Sequence, residues 1–213
     1  MIELLVVMGV IAIILAIAVP AMQAMLAGNK LTQAATGMRA QLAAAQQQAI
    51  KDNEAIEVRF YKFIDKNLPN REAKFRAYQF VKKVTATTEK GRTSSRSSRE
   101  GFRVLPISKI VRLPDGIVIM DDKEYSTLVT SQKMIRESRN IRIPDSEDQE
   151  YYGFMYRPDG STTLPKSGGD LWFLTLVNEG DVQGESSKLP SNFVTVQVDA
   201  HNGNVREFQP GVQ

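Results

Sequence analysis

The sequence predicts an α+β protein: a long amino-terminal helix, one half membrane-like and the other amphipathic, packed on an antiparallel β-sheet or β-sandwich head. Three observations carry this expectation. Met1 to Ala27 contains one charge, Glu3, and Leu4 to Met22 is apolar or small throughout. From Leu31 to Ala49, apolar residues recur at alternating steps of four and three. After Glu54 the period of apolar residues falls to two, the period of a strand.

The first run is long enough to cross a bilayer, which takes about 20 apolar residues at ~1.5 Å rise each. A cleaved secretory signal would carry Lys or Arg before a shorter apolar run. Here no basic residue precedes the run, and an acid stands at its head. A carboxylate on a membrane helix costs roughly 2.5–3.5 kcal/mol at the helix centre and less near an end. Glu3 is therefore a candidate functional residue, solvated at the membrane edge first and paired with a cation later. Pro20 removes one backbone hydrogen bond, which a membrane helix with packed neighbours tolerates. Gly9, Ala12 and Ala16 are small enough for close helix approach.

The second run places Leu31, Ala35, Met38, Leu42, Ala45 and Ala49 on one seam, with Gln33, Arg39, Gln41, Gln46 and Gln48 largely off it. Gly28-Asn29 is a weak point between the halves. The expectation is one helix of about fifty residues, ~75 Å long, ending at Lys51-Asp52-Asn53-Glu54. It divides the chain into an assembly half (1–27), an amphipathic half (28–51) and a head (52–213).

Hairpins follow. Ile56, Val58, Phe60 and Ile64 fall on one face of a strand, with Glu57, Arg59 and Tyr61 on the other. Asn67-Leu68-Pro69-Asn70 reads as a turn. In Ala73 to Val84, Phe75, Ala77 and Val81 alternate against Lys74, Arg76 and Tyr78. Leu113-Pro114-Asp115-Gly116 and Arg157-Pro158-Asp159-Gly160 are turn sequences. Ile117–Met120 and Tyr151–Tyr156 read as strands, with a short helix near Ser131–Ser138. Leu171–Val177 is apolar on both faces and should be a central covered strand. Val194, Val196 and Val198 alternate with polar residues. Asn202-Gly203 supplies a tight hairpin turn, and Val205–Phe208 returns.

Two loops stand out by charge. From Lys82 to Arg103 the chain is basic and Ser-rich, with Lys90, Arg92, Arg96 and Arg99 as candidate contacts to DNA or another polyanion. It has no internal aromatic to stack bases, and a solvated loop is the competing reading. Pro144 to Glu150 is acidic, but its spacing matches no calcium loop. Composition adds exclusions. The net charge of +3 is too small to argue for nucleic acid by itself. With no cysteine there is no disulfide or thiolate site. The single histidine, His201, sits beside a turn, which argues against histidine catalysis or a multi-histidine metal site. No phosphate loop or nucleophile elbow is present. The expectation is a protein that is not an enzyme and has no cofactor.

Ile2-Glu3-Leu4-Leu5-Val6-Val7, the apolar run after it and Pro20 resemble the amino-terminal helix of type IV pilins and type II secretion pseudopilins. The strand after the helix, the Pro158-Asp159-Gly160-Ser161 turn and the final valine hairpin look like the GspH/FimT group of minor pseudopilins. Ile56–Ile64 is also similar to the prepilin-like Verru_Chthon cassette protein D group. Met1 stands where the family has its third mature residue. The expectation is therefore a start assigned late or a truncated chain, with the processing site on no residue present. The resemblance implies cleavage by a prepilin peptidase, amino-terminal methylation and storage in the cytoplasmic membrane with the head outside the cytoplasm. It then implies extraction by an assembly platform into a homo- or hetero-oligomeric filament, periplasmic or on the cell surface. Glu3, Gly9 and Pro20 are its assembly residues, and Glu3 would meet the amino-terminal ammonium of a neighbouring subunit. Two alternatives stand beside it: a filament-tip module gripping a polyanion through the basic loop, and a membrane-anchored enzyme with a hydrolytic head.

Overall fold

The computed structural model describes residues 2–68, 71–85, 102–131, 135–137, 143–166, 171–182 and 188–210. Within these, the side chains of 2, 5, 18–25, 27, 83–85, 102–103, 136–137 and 148 are left undescribed. Helix α1 (Ile2–Asp52) is continuous over 51 residues and runs through Pro20. It ends where Asn53 turns left-handed at φ +52, a conformation that asparagine tolerates. The Asn53 and Glu54 N–H groups donate to the carbonyls of Ile50 and Ala49, closing the last turn.

The head is one mixed-length antiparallel sheet. Its strands are β1 (Ile56–Asp65), β2 (Lys74–Thr85), β3 (Phe102–Pro106), β4 (Val111–Arg112), β5 (Ile117–Ile119), β6 (Ile135–Glu137), β7 (Ser146–Tyr156), β8 (Trp172–Asn178), β9 (Phe193–Val198) and β10 (Val205–Phe208). The order across the sheet is β10-β9-β8-β5-β2-β1-β7-β6. One edge of β2 is shared along its length by β5, β4 and β3. Among the described residues there is thus one sheet, and the sandwich alternative is not seen. Its second layer is α1, whose second half crosses β10, β9, β8, β5, β1 and β7.

The main core lies between them. Leu31, Ala35, Met38, Leu42 and Ala49 are fully buried against Ile56, Val58, Phe60, Tyr156, Leu174, Leu176 and Val196. Two smaller clusters lie apart from it. One gathers Tyr61, Phe63, Ala77, Ile143 and Tyr151; the other gathers Val118, Met120 and Val177. Strand β8 is covered, as its apolar run predicts. Helix α2 (Thr127–Thr130) contacts both β8 and β7. It serves the open edge of β8 with side chains: Thr127 Oγ1 accepts the Phe173 N–H at 3.0 Å, and Ser126 Oγ accepts the Thr175 N–H at 3.1 Å.

Several expectations need correction. The β1/β2 register shifts between Tyr61 and Lys62, with Tyr61 opposite Ala77 and Lys62 opposite Phe75. Arg76 is the extra residue, and the bulge reverses the phase of β2. Phe75 therefore joins Tyr78 in the main core while Ala77 turns to the other side. The acidic stretch from Ser146 to Glu150 is the start of β7, not a loop. Lysines on and after β1 stabilise it: Lys66 meets Glu147 at 3.2 Å and Lys62 lies 3.9 Å from Glu150. The short helix expected at Ser131–Ser138 is displaced to Thr127–Thr130, and Ile135–Glu137 is a strand. The last hairpin closes through a longer loop than two residues. Asp199 N–H donates to the Asn204 carbonyl, and only Gly203 within the loop has a positive φ. The Arg157–Gly160 turn forms as its sequence predicts: the Gly160 N–H donates to the Arg157 carbonyl at 2.9 Å.

Candidate functional site

The feature that the head cannot satisfy is the first half of α1. Between Leu4 and Ile17, ten large apolar side chains are each 51–73% exposed. Val6, Val7 and Met8 are consecutive, so they point to different sides of the helix. The exposure is thus not one uncovered face but the whole circumference. Leu31 is the first fully buried residue among those described. Monomeric soluble proteins rarely leave apolar patches beyond a few hundred Å², and this stretch needs a partner or lipid.

Glu3 is exposed and lies in the first turn of α1. An acid there is favourably placed on the helix dipole, and it sits beside backbone N–H groups that have no intrahelical acceptor. A Cβ built at Gly9 would meet nothing within 4 Å. The small size of Gly9 therefore serves no approach within this chain. Pro20 lies within the continuous helix; its side chain is outside the described residues. The structure places Glu3, Gly9 and Pro20 along one rod. It does not gather them into a pocket.

Among the described residues, no helix is long and apolar enough to cross a membrane. Lys90, Arg92, Arg96 and Arg99 lie outside the described residues. Of the basic segment, Lys82 is described, and it pairs with Glu54 just after α1. No group of three or more His, Cys, Asp or Glu placed to hold a metal occurs among the described residues.

The second half of α1 holds a residue the seam pattern placed off it. Gln46 is 8% exposed, and its Nε2 donates to the Gly160 carbonyl at 2.8 Å and the Asn202 carbonyl at 2.5 Å. It ties the Arg157–Gly160 turn and the last hairpin loop to the helix. A signal was present: Gln46 is four residues beyond Leu42 and three before Ala49, inside the buried stripe. Charged pairs of the head were also missed. Arg76 makes a bidentate contact with Glu179, at 2.7 and 2.5 Å. That contact, with burial opposing it and Lys74 assisting, holds the Glu179 carboxyl below its ordinary value. Arg59 bonds Glu57 at 2.9 Å and lies 4.3 Å from the Tyr151 ring centre.

No protein-family model matches the sequence, and no curated protein matches it. Among solved structures, the chain is similar to the minor pseudopilin EpsH from the type 2 secretion system of Vibrio cholerae. The identity is 15% and the TM-score 0.40, over 85% of this chain and 98% of that one. At this level the likeness carries no weight for function.

Proposed function

We propose that the chain is a structural subunit, a pilin or minor pseudopilin, of a type IV pilus-like or type II secretion filament. Residues 1–27 are its membrane and assembly half, 28–51 its amphipathic half and 52–213 its head. Before assembly the apolar half spans the cytoplasmic membrane once, with the head outside the cytoplasm. A prepilin peptidase and an inner-membrane assembly platform act on it there. In the filament the same half packs among the helices of neighbouring subunits. Glu3 then meets the amino-terminal ammonium of a neighbour, an attraction that strengthens as water is excluded.

One observation carries this reading: a single helix buries one face on its own head from Leu31 to Ala49 and is exposed on all sides at Leu4–Ile17. A plain membrane anchor would also expose that half, so Glu3 is the discriminating residue. Glu3→Ala should leave the protein in the membrane fraction and stop its incorporation into filaments. Wild-type incorporation of that variant would reject the pairing. The alternative of a polyanion grip through the basic loop rests on Lys90, Arg92, Arg96 and Arg99, which lie outside the described residues.

A further inference from the structure

A cleft of about 310 Å³ opens on the head, away from the exposed half of α1. Its walls come from Pro165, Lys166, Leu171 and Trp172 on one side. On the other are the end of β9, the loop after it and Arg206 of β10. The apolar part is built firmly. Trp172 is 2% exposed, and its indole N–H donates to the Pro165 carbonyl at 2.9 Å. That bond pins the Pro165–Lys166 segment to the sheet and leaves the indole no donor to spend on a ligand. Leu171, 60% exposed, extends this wall toward solvent.

The polar part makes few direct bonds of its own. Among the described residues, the side chains of Lys166, Gln197, His201 and Arg206 make no hydrogen bond or ion pair. Among the described lining residues the one carboxylate is Asp199, which is already engaged and lies within electrostatic reach of His201 and Arg206. Its Oδ1 accepts the backbone N–H groups of His201 at 2.8 Å and Asn202 at 3.4 Å. Asp159 lies within electrostatic reach of Lys166 but is wholly exposed. Among the described residues the cleft thus sets two cations against one carboxylate, an excess of one, beside two side-chain amides from Gln197 and Asn204 and a rigid apolar wall. A guanidinium matches a carboxylate in two parallel bonds. Amides suit hydroxyls, and the apolar wall suits the carbon face of a sugar ring. The volume is at the small end for ligand sites, enough for one or two rings.

We propose that this cleft binds a carboxylated sugar, a uronate unit of an acidic polysaccharide. Arg206 and Lys166 hold the carboxylate, and the ring rests on Leu171 and Pro165. This goes beyond filament assembly and does not depend on it.

The test is titration calorimetry of the full chain in a non-ionic detergent with oligogalacturonate. Binding is expected, and the methyl-esterified oligomer, which lacks the charges, should not bind. Arg206→Gln and Lys166→Gln should each weaken binding about tenfold, the scale of a lost charge-assisted hydrogen bond. Arg39→Gln, an exposed cation on α1 outside the cleft, should change nothing. Absence of binding would overturn the proposal, as would equal binding of the methyl ester. Equal weakening by Arg39→Gln, or equal affinity for a DNA oligonucleotide, would show general polyelectrolyte attraction and overturn it too. Because binding is read on unassembled protein, its failure leaves the assembly reading standing, and the reverse also holds.

Discussion

The two halves of α1 share one continuous helix and differ in every contact. In the second half, Leu31, Ala35, Met38, Leu42 and Ala49 are fully buried, and Gln46 adds two buried hydrogen bonds. In the first half, ten larger apolar side chains touch mostly solvent. Burying a side chain of this size contributes about 1.5–3 kcal/mol. Scaled by their partial exposure, the first half therefore holds roughly 9–18 kcal/mol of gross transfer free energy that the head does not use. Association costs and ordering reduce the net value. The comparison teaches that helix formation and helix burial are separate matters here. The second half stabilises the fold, and the first half stores a driving force for association or membrane insertion.

The sharpest way to break the comparison is to charge the first half. Ile13→Lys places an ammonium mid-run, at a cost of about 2.5–3.5 kcal/mol at the centre of a membrane helix. It should abolish membrane fractionation and filament incorporation while thermal unfolding of the head stays as in wild type. A head destabilised by this variant would mean that the halves are energetically coupled. The converse variant is Leu42→Ala, which empties a fully buried site. It should destabilise the head by about 2–5 kcal/mol in denaturant unfolding, whereas Ile13→Ala should cost the head nothing measurable.

A smaller effect tests the hold of the helix on the hairpin loops. Gly203 has φ +69, and a Cβ there would stand 2.5 Å from the Gly160 carbonyl oxygen and 2.6 Å from Gln46 Nε2. Gly203→Ala should therefore cost about 1–3 kcal/mol. Gln46→Ala, which removes the shared donor, should cost a similar ~1–3 kcal/mol. A double variant no worse than either single one would show that both act through the same contact.

The smallest expected effect is acid sensitivity confined to the head. The Glu179 carboxyl lies below its ordinary 4.5, through its bonds to Arg76. A depressed folded value means that the stabilisation is fully present above pH 4.5 and is lost as pH falls through the folded value. Thermal unfolding temperatures should decline in that acid range, and Glu179→Gln should flatten part of the decline. An unchanged pH profile in that variant would place the acid-sensitive group elsewhere.

Much of this architecture is legible in the sequence because it is written in short-range periods. The extent of α1, its change of character near Gly28, the strand at Leu171–Val177 and the Arg157–Gly160 turn all follow from neighbouring residues. So does the alternation of Val194, Val196 and Val198. Glu3, Gly9 and Pro20, the residues proposed for assembly, are each conspicuous against their own run. The cleft beside Trp172 was not legible. Its walls come from segments around residues 165, 172, 199 and 206, and no local pattern announces that they meet.

What the sequence by itself determined is the rod: where a helix runs, which part has one apolar face and which part is apolar all round. Hydrophobic periodicity and chain length suffice for that, because a helix makes its own hydrogen bonds. What only the tertiary structure decided is the sheet and everything that depends on its partners. The bulge at Arg76 sets which of Phe75 and Ala77 enters the main core. Pairing with β1 makes a strand of the acidic stretch at Ser146–Glu150, and Lys62 and Lys66 sit beside its carboxylates. Gln46 becomes buried because two carbonyls more than a hundred residues away require its amide. A strand's hydrogen bonds belong to another strand, so its register and faces are settled only when that partner is in place.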